Sequence, residues 1–109
     1  MKLNSFSPIL EEDDEINLPE LVYWASLGDI ARVKQLLADG IDPNQSDGEG
    51  YSALQAAAEN DHLDIVKLLL SKGADISSKG QYTALELAEM AQNKEVVDYL
   101  KKRVDQFKH

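Results

Sequence analysis

One apolar pattern recurs along this chain at a spacing of 33 positions. Leu21-Val22-Tyr23-Trp24-Ala25 aligns with Leu54-Gln55-Ala56-Ala57-Ala58, Ile30 with Leu63, Val33 with Val66, Leu36-Leu37 with Leu69-Leu70, and Gly40-Ile41-Asp42 with Gly73-Ala74-Asp75. A third copy follows 31 positions after the second, in Leu85-Glu86-Leu87-Ala88, Val96-Val97 and Leu100, so the connection before it has lost two residues. Such a chain has few folding options. Each copy is too short to bury its own apolar side, and stacking copies side by side is the arrangement that buries all of them.

Within each copy the spacing predicts two helices. Leu21, Trp24 and Ala25 share one stripe, and Ile30, Val33, Leu36 and Leu37 recur at helical spacing. Gly28 and Gly40 are helix stops. Asn17-Leu18-Pro19-Glu20 reads as a helix start, with Asn17 as cap and Pro19 in the first turn, where its missing N–H costs nothing. Ser52 with Gln55 and Thr83 with Glu86 fit capping boxes, and Asp29, His62 and Asn93 share the position before each longer helix. The last helix is expected from Lys94 to about Gln106, with Lys101, Lys102 and Arg103 suiting its C-terminal end.

The middle copy reads Gly50-Tyr51-Ser52-Ala53-Leu54-Gln55-Ala56-Ala57-Ala58, then Asp61-His62-Leu63-Asp64-Ile65-Val66-Lys67-Leu68-Leu69-Leu70, then Gly73-Ala74-Asp75. It resembles the ankyrin repeat, and the resemblance runs from about residue 18 to 104. It implies an all-α solenoid of three helix-turn-helix repeats with hairpin-like connecting loops. The repeats are placed at about 17–46, 47–79 and 80–109, behind an acidic, flexible tail over residues 1–16. Some positions depart from the family pattern. Ser52-Ala53 replaces Thr-Pro, and Gln55 replaces the histidine whose hydrogen bonds hold the family's turn, so those bonds must be weaker or replaced. Trp24 stands where a small alanine is usual, which suits a terminal repeat with one open side, where the tail could cover it. Gln81 and Gln92 stand for glycines and Lys94 for an apolar residue, so the first and third copies read as caps around the middle one.

The 109 residues carry a formal net charge of −9, with 20 acidic against 11 basic residues. That field disfavours nucleic acid and anionic membrane surfaces and favours a basic protein partner. The chain has no cysteine, which removes disulfides and thiolate zinc sites and suits a cytoplasmic location. No apolar run approaches the roughly 20 residues of a membrane span, and the N-terminus has no signal-peptide pattern.

Catalytic chemistry has little to work with. His62 is accounted for by the repeat, as a structural cap between helices, and His109 is the last residue. Asp42 and Asp75 occupy matched loop positions where Asp satisfies local amides, and Asp61 and Asp64 mark a helix start. The run Glu11–Glu15 lacks the glycine-containing loop and spaced ligands of a calcium site. The expectation is therefore a non-enzyme with no cofactor and no metal.

The resemblance implies that loop tips and the exposed side of each shorter helix form a concave, protein-binding face. Carried onto this chain, the face takes Glu49, Tyr51, Gln55, Glu59 and Asn60 from the middle copy, and Gln81, Tyr82, Glu86 and Met90 from the third. From the first copy it takes Leu27, with Val22 and Ser26. Tyr51 and Tyr82 sit in register and offer large contact area with a polar tip, or else merely cover the adjacent loop. The expected partner is a protein with a basic surface, bound by a chain that is monomeric when free. Two other readings stand beside this one: a bacterial immunity-type inhibitor of a toxin enzyme, and a structural or self-associating protein.

Overall fold

The computed structural model describes residues 18–106. Asn17 and the acidic segment before it lie outside the described residues, as does any cover it gives Trp24. Within the described residues there are six helices: α1 (Glu20–Leu27), α2 (Ile30–Ala38), α3 (Ala53–Glu59), α4 (Leu63–Ser71), α5 (Ala84–Ala91) and α6 (Lys94–Gln106). They form three hairpins. The short helices α1, α3 and α5 pack one after another in one row, and α2, α4 and α6 pack in a second. There is no sheet among the described residues. Two isolated antiparallel bridges, Ser46 with Ser52 and Lys79 with Thr83, close the loops ahead of α3 and α5. The first encloses residues 47–51 and the second only 80–82, which locates the two-residue deletion in the tip of the second loop.

The core runs along the seam between the rows. Leu21, Val33, Leu54, Ile65, Leu69, Val96 and Leu100 are fully or almost fully buried, and Ala56, Ala57 and Ala58 are fully buried in α3. The alanines explain how α3 fits between α1 and α5: methyl side chains let flanking helices approach closely, where larger ones would force strain. At the open end, Trp24 is half-buried, edge-on to Tyr23 at 5.0 Å, with the Arg32 guanidinium 5.0 Å from its ring centroid. Val22, expected on the concave face, is instead fully buried in the core.

Helix ends follow the expected chemistry with informative exceptions. Both capping boxes form, at Ser52/Gln55 and Thr83/Glu86. α1 begins at Glu20, two residues later than a cap at Asn17 would place it. Pro19 is its N-cap, without a side-chain cap bond, and the Pro19 carbonyl accepts from the Tyr23 amide at 3.0 Å. The turn inside each hairpin uses one left-handed residue in register: Gly28 (φ 83°), Asp61 (φ 65°) and Gln92 (φ 63°). Asp61 is therefore a turn residue, not part of a helix start. Arg103, in the last turn of α6, donates to the Tyr99 hydroxyl at 2.9 Å.

Polar side chains stitch each repeat to the next. Asp29 caps its own helix, its carboxylate accepting from the Arg32 amide. His62 makes no cap bond with α4. Its Nε2 instead faces the Ser26 carbonyl of the preceding hairpin at 3.2 Å, and since a carbonyl only accepts, Nε2 carries the proton. Asn93 does the same one repeat on, donating to the Ala58 and Glu59 carbonyls at 2.9 Å each. On the loop side, Asn44 accepts from the Asp75 amide at 2.7 Å and donates to the Gly73 carbonyl at 3.3 Å. The last carbonyls of a helix have no intrahelical partner, and here the neighbouring repeat supplies donors to them.

Candidate functional site

The loop tips are held by aspartates. Asp42 and Asp75 each accept from the backbone amide two residues on, Asn44 at 2.8 Å and Ser77 at 2.9 Å. In the longer loop Asp47 accepts from the amides of both Glu49 and Tyr51, at 2.9 Å each. This fixes the direction in which Tyr51 leaves the loop. Its ring is half-buried, and its hydroxyl donates to Glu59 Oε1 at 2.5 Å, from the loop to the end of α3. Burial, together with the neighbouring Glu59 and Asp47 carboxylates, pushes the Tyr51 phenol well above the ordinary tyrosine range, so it stays a neutral donor.

Gln55 lies beneath this loop and is only 1 % exposed. Its Oε1 accepts from the Ser52 amide at 2.7 Å, and its Nε2 donates to the Tyr82 carbonyl of the next loop at 2.6 Å. The bonds expected of the family's histidine are therefore replaced by an amide that reaches into the following repeat. Gln55 is a support under the face, almost closed to solvent.

Above these supports lies a hollow of about 410 Å³ between the two loops and the exposed sides of α3 and α5. The middle repeat contributes Asp47, Glu49, Tyr51, Gln55 and Glu59 to its lining. The third contributes Gly80, Gln81, Tyr82, Leu87 and Met90. The loops meet tightly at its edge: a Cβ on Gly80 would come within 2.5 Å of the Glu49 carbonyl oxygen. Tyr82 is 37 % exposed and Met90 61 % exposed.

The structure brings together seven of the twelve residues singled out from sequence: Glu49, Tyr51, Gln55, Glu59, Gln81, Tyr82 and Met90. The other five do not line the hollow: Val22 is buried, and the Ser26 hydroxyl donates to the Tyr23 carbonyl at 2.9 Å. Asn60 donates to the Ala56 carbonyl of its own helix, Glu86 accepts from the Thr83 amide, and Leu27 is 57 % exposed on the first repeat. Sequence reasoning missed Asp47, Gly80 and Leu87 as lining residues. Asp47 had a usable signal, since Asp ahead of a Gly-rich tip favours a turn that its carboxylate closes.

A second hollow, of about 530 Å³, lies between the loop after α4 and the last turn of α6, with Ile76, Leu70 and Val104 among its lining. Among the described residues no group of three or more His, Asp or Glu side chains is placed to hold a metal ion, and no helix is long and apolar enough to cross a membrane.

A stack of three helical hairpins that carries its open groove on loop tips and short helices is the architecture of a repeat module. The profile of ankyrin repeats (three copies) matches residues 21–108, and the chain belongs to the ankyrin-repeat family. Modules of this family typically mediate contacts between proteins. The chain is 41 % identical over 83 residues to the ankyrin repeat and KH domain-containing protein mask-1 of Caenorhabditis elegans, which covers 73 % of this chain and 3 % of that protein. It is 35 % identical over 94 residues to the ankyrin repeat and SAM domain-containing protein 6 of Mus musculus, covering 81 % of this chain and 10 % of that protein. Against the ankyrin repeat domain-containing protein 39 of Homo sapiens the identity is 39 % over 62 residues, covering 56 % of this chain and 34 % of that protein. The chain thus spans about a third or less of the length of these relatives.

Proposed function

We propose that this chain binds a protein partner with a basic surface, and that the groove between the second and third repeats is the centre of that contact. The observation that supports this reading is the groove itself: carboxylates on one wall, an exposed tyrosine and methionine on the other, and a rigid floor whose polar groups are already bonded to one another. Preorganised aromatic and apolar anchors supply most of the binding energy in protein interfaces, and surrounding charge sets orientation and on-rate. The acidic net charge acts in the same direction at longer range.

The test is affinity capture from the native source with the wild-type chain and with a Tyr82→Ala/Met90→Ala double variant. Both side chains are exposed, so the fold should tolerate their loss. A partner held by the wild type and lost by the variant supports the reading. A partner held equally by both overturns the assigned face. With the purified partner, the association rate should fall as ionic strength rises; a rate indifferent to salt would remove the electrostatic half of the proposal. If the partner is an enzyme, assaying it with and without this chain separates inhibition from recruitment.

A further inference from the structure

We propose that the groove is a seat for one arginine side chain, presented on an extended segment of the protein partner; this rests on the protein-binding reading above and says what enters the groove. The argument starts from how the walls divide. Every acidic residue lining the hollow, Asp47, Glu49 and Glu59, comes from the second repeat, and the wall from the third is uncharged, with Tyr82, Leu87 and Met90 as its apolar part. A ligand that satisfies both walls needs a cationic group on one side and an apolar body on the other.

The carboxylates differ in what they have left to give. Asp47 Oδ1 already accepts two loop amides, so it contributes mainly potential. Glu59 accepts one hydrogen bond, from the Tyr51 hydroxyl to Oε1, which fixes its orientation and leaves Oε2 to accept from a ligand. Neither Glu49 nor Glu59 takes part in an ion pair among the described residues, where the one pair found is Lys101 with Glu89. The nearby cation Lys79 acts on Glu86, a residue outside the hollow.

Size and shape favour arginine over other occupants. About 410 Å³ is at the low end of ligand pockets, which suits a side chain with its flanking backbone and not a whole helix. A guanidinium is flat. It can lie against the Tyr82 ring, pair with a carboxylate edge through two N–H groups, and run its methylenes along Met90 and Leu87. An ammonium is a more strongly hydrated point charge that loses the stacking and the paired geometry.

The test uses the full chain in heteronuclear NMR titrations with the peptide acetyl-Gly-Arg-Gly-amide, beside its lysine and citrulline analogues. A single side chain on a short peptide should bind with a dissociation constant on the order of millimolar. The expected result is a saturable shift confined to amides around Glu49, Gly80, Tyr82 and Met90. The lysine peptide should bind several-fold more weakly, and the citrulline peptide, which keeps the shape and loses the charge, should leave the spectrum unchanged. Glu59→Gln keeps an acceptor for Tyr51 and should weaken the arginine peptide about tenfold, as expected for losing roughly 1.4 kcal/mol of charge-assisted bonding. Glu49→Gln, at a loop tip, provides a second variant should the first unfold, and Glu89→Gln, outside the groove, should bind as the wild type does. Equal binding of all three peptides, shifts spread over the whole acidic surface, or indifference to both Glu59→Gln and Glu49→Gln would overturn the proposal. If the arginine peptide fails while the Tyr82→Ala/Met90→Ala variant still loses its captured partner, the arginine seat falls and the protein-binding reading remains.

Discussion

Gln55 shows how one substitution can keep a structural job while changing its chemistry. A buried amide donor on Ser52 and a part-buried carbonyl on Tyr82 both depend on its side chain. Gln55→Ala would leave both without that partner, and we expect it to cost about 1–3 kcal/mol, read from the denaturant midpoint. Histidine is the informative replacement. A neutral imidazole presents one acceptor and one donor nitrogen, the same pair of roles. Gln55→His should therefore stay close to wild-type stability near neutral pH. Protonation would turn its acceptor into a second donor facing the Ser52 N–H, so the folded state should hold this histidine below its ordinary pKa. Its contribution would then be present above pH about 6.5 and lost as the pH falls. A Gln55→His variant whose stability, relative to wild type, is the same at pH 5 and pH 7.5 would contradict the assigned bonds.

At the scale of helices and turns, the sequence showed where the elements are more clearly than how their ends are tied. Periodicity placed the helices, and the spacing Ser52–Gln55 and Thr83–Glu86 was enough to place both capping boxes, because a capping box is local. The position shared by Asp29, His62 and Asn93 was equally visible, but while Asp29 caps its own helix, His62 does not. The side chains of His62 and Asn93 reach carbonyls 34 to 36 positions away, so their direction depends on how closely the hairpins stack, which local spacing does not encode. The groove was legible for a similar reason and to a similar limit. Register brought Tyr51 and Tyr82 to matched loops, yet Glu86, read both as the capping partner of Thr83 and as a face residue, serves the cap and does not line the groove. Two predictions belong here. Gly28 and Gly40 both have positive φ, at 83° and 97°, but a Cβ on Gly28 would lie 2.5 Å from the His62 ring and one on Gly40 would meet nothing within 4 Å. Gly40→Ala should cost about 1–2 kcal/mol from backbone strain alone. Gly28→Ala should cost more, because it also displaces His62 from the Ser26 carbonyl; equal thermal midpoints for the two variants would argue against that tie. The second concerns acid. Hydrogen bonding from the Thr83 amide holds the Glu86 carboxyl below its usual range. The unfolded chain then binds the proton more readily, so stability present above pH about 4.5 is lost as the pH falls through the folded pKa. Glu86→Gln keeps the acceptor and removes the titration, and should flatten that part of the acid-unfolding profile.

Across the whole molecule, stability depends on position along the stack. The middle hairpin packs on both sides, α3 between α1 and α5 and α4 between α2 and α6, and among the described residues each end hairpin packs against one other. In a repeat protein each unit is stabilised largely by the interfaces it shares, so a defect in the centre weakens two and a defect at an end weakens one. Val66 and Val97 occupy the same register position 31 residues apart, which makes them a fair pair. Val66 is fully buried in the middle repeat and Val97 only half-buried in the last. Val66→Ala should cost about 2–3 kcal/mol and Val97→Ala distinctly less. Leu69→Ala, at a fully buried site one helical turn further along α4, should cost about 2–5 kcal/mol and lower the single unfolding midpoint of the whole chain. Hydrogen exchange separates a stack from a uniform globule more sharply than the midpoints do. In the stack, Val97→Ala should loosen the amides of α6 and leave those of α1 and α2 protected, whereas Leu69→Ala should raise exchange at both ends together. If Val97→Ala accelerated exchange in α1 as much as in α6, the three hairpins would be unfolding as one indivisible unit, and the neighbour-by-neighbour account of this fold would have to be given up.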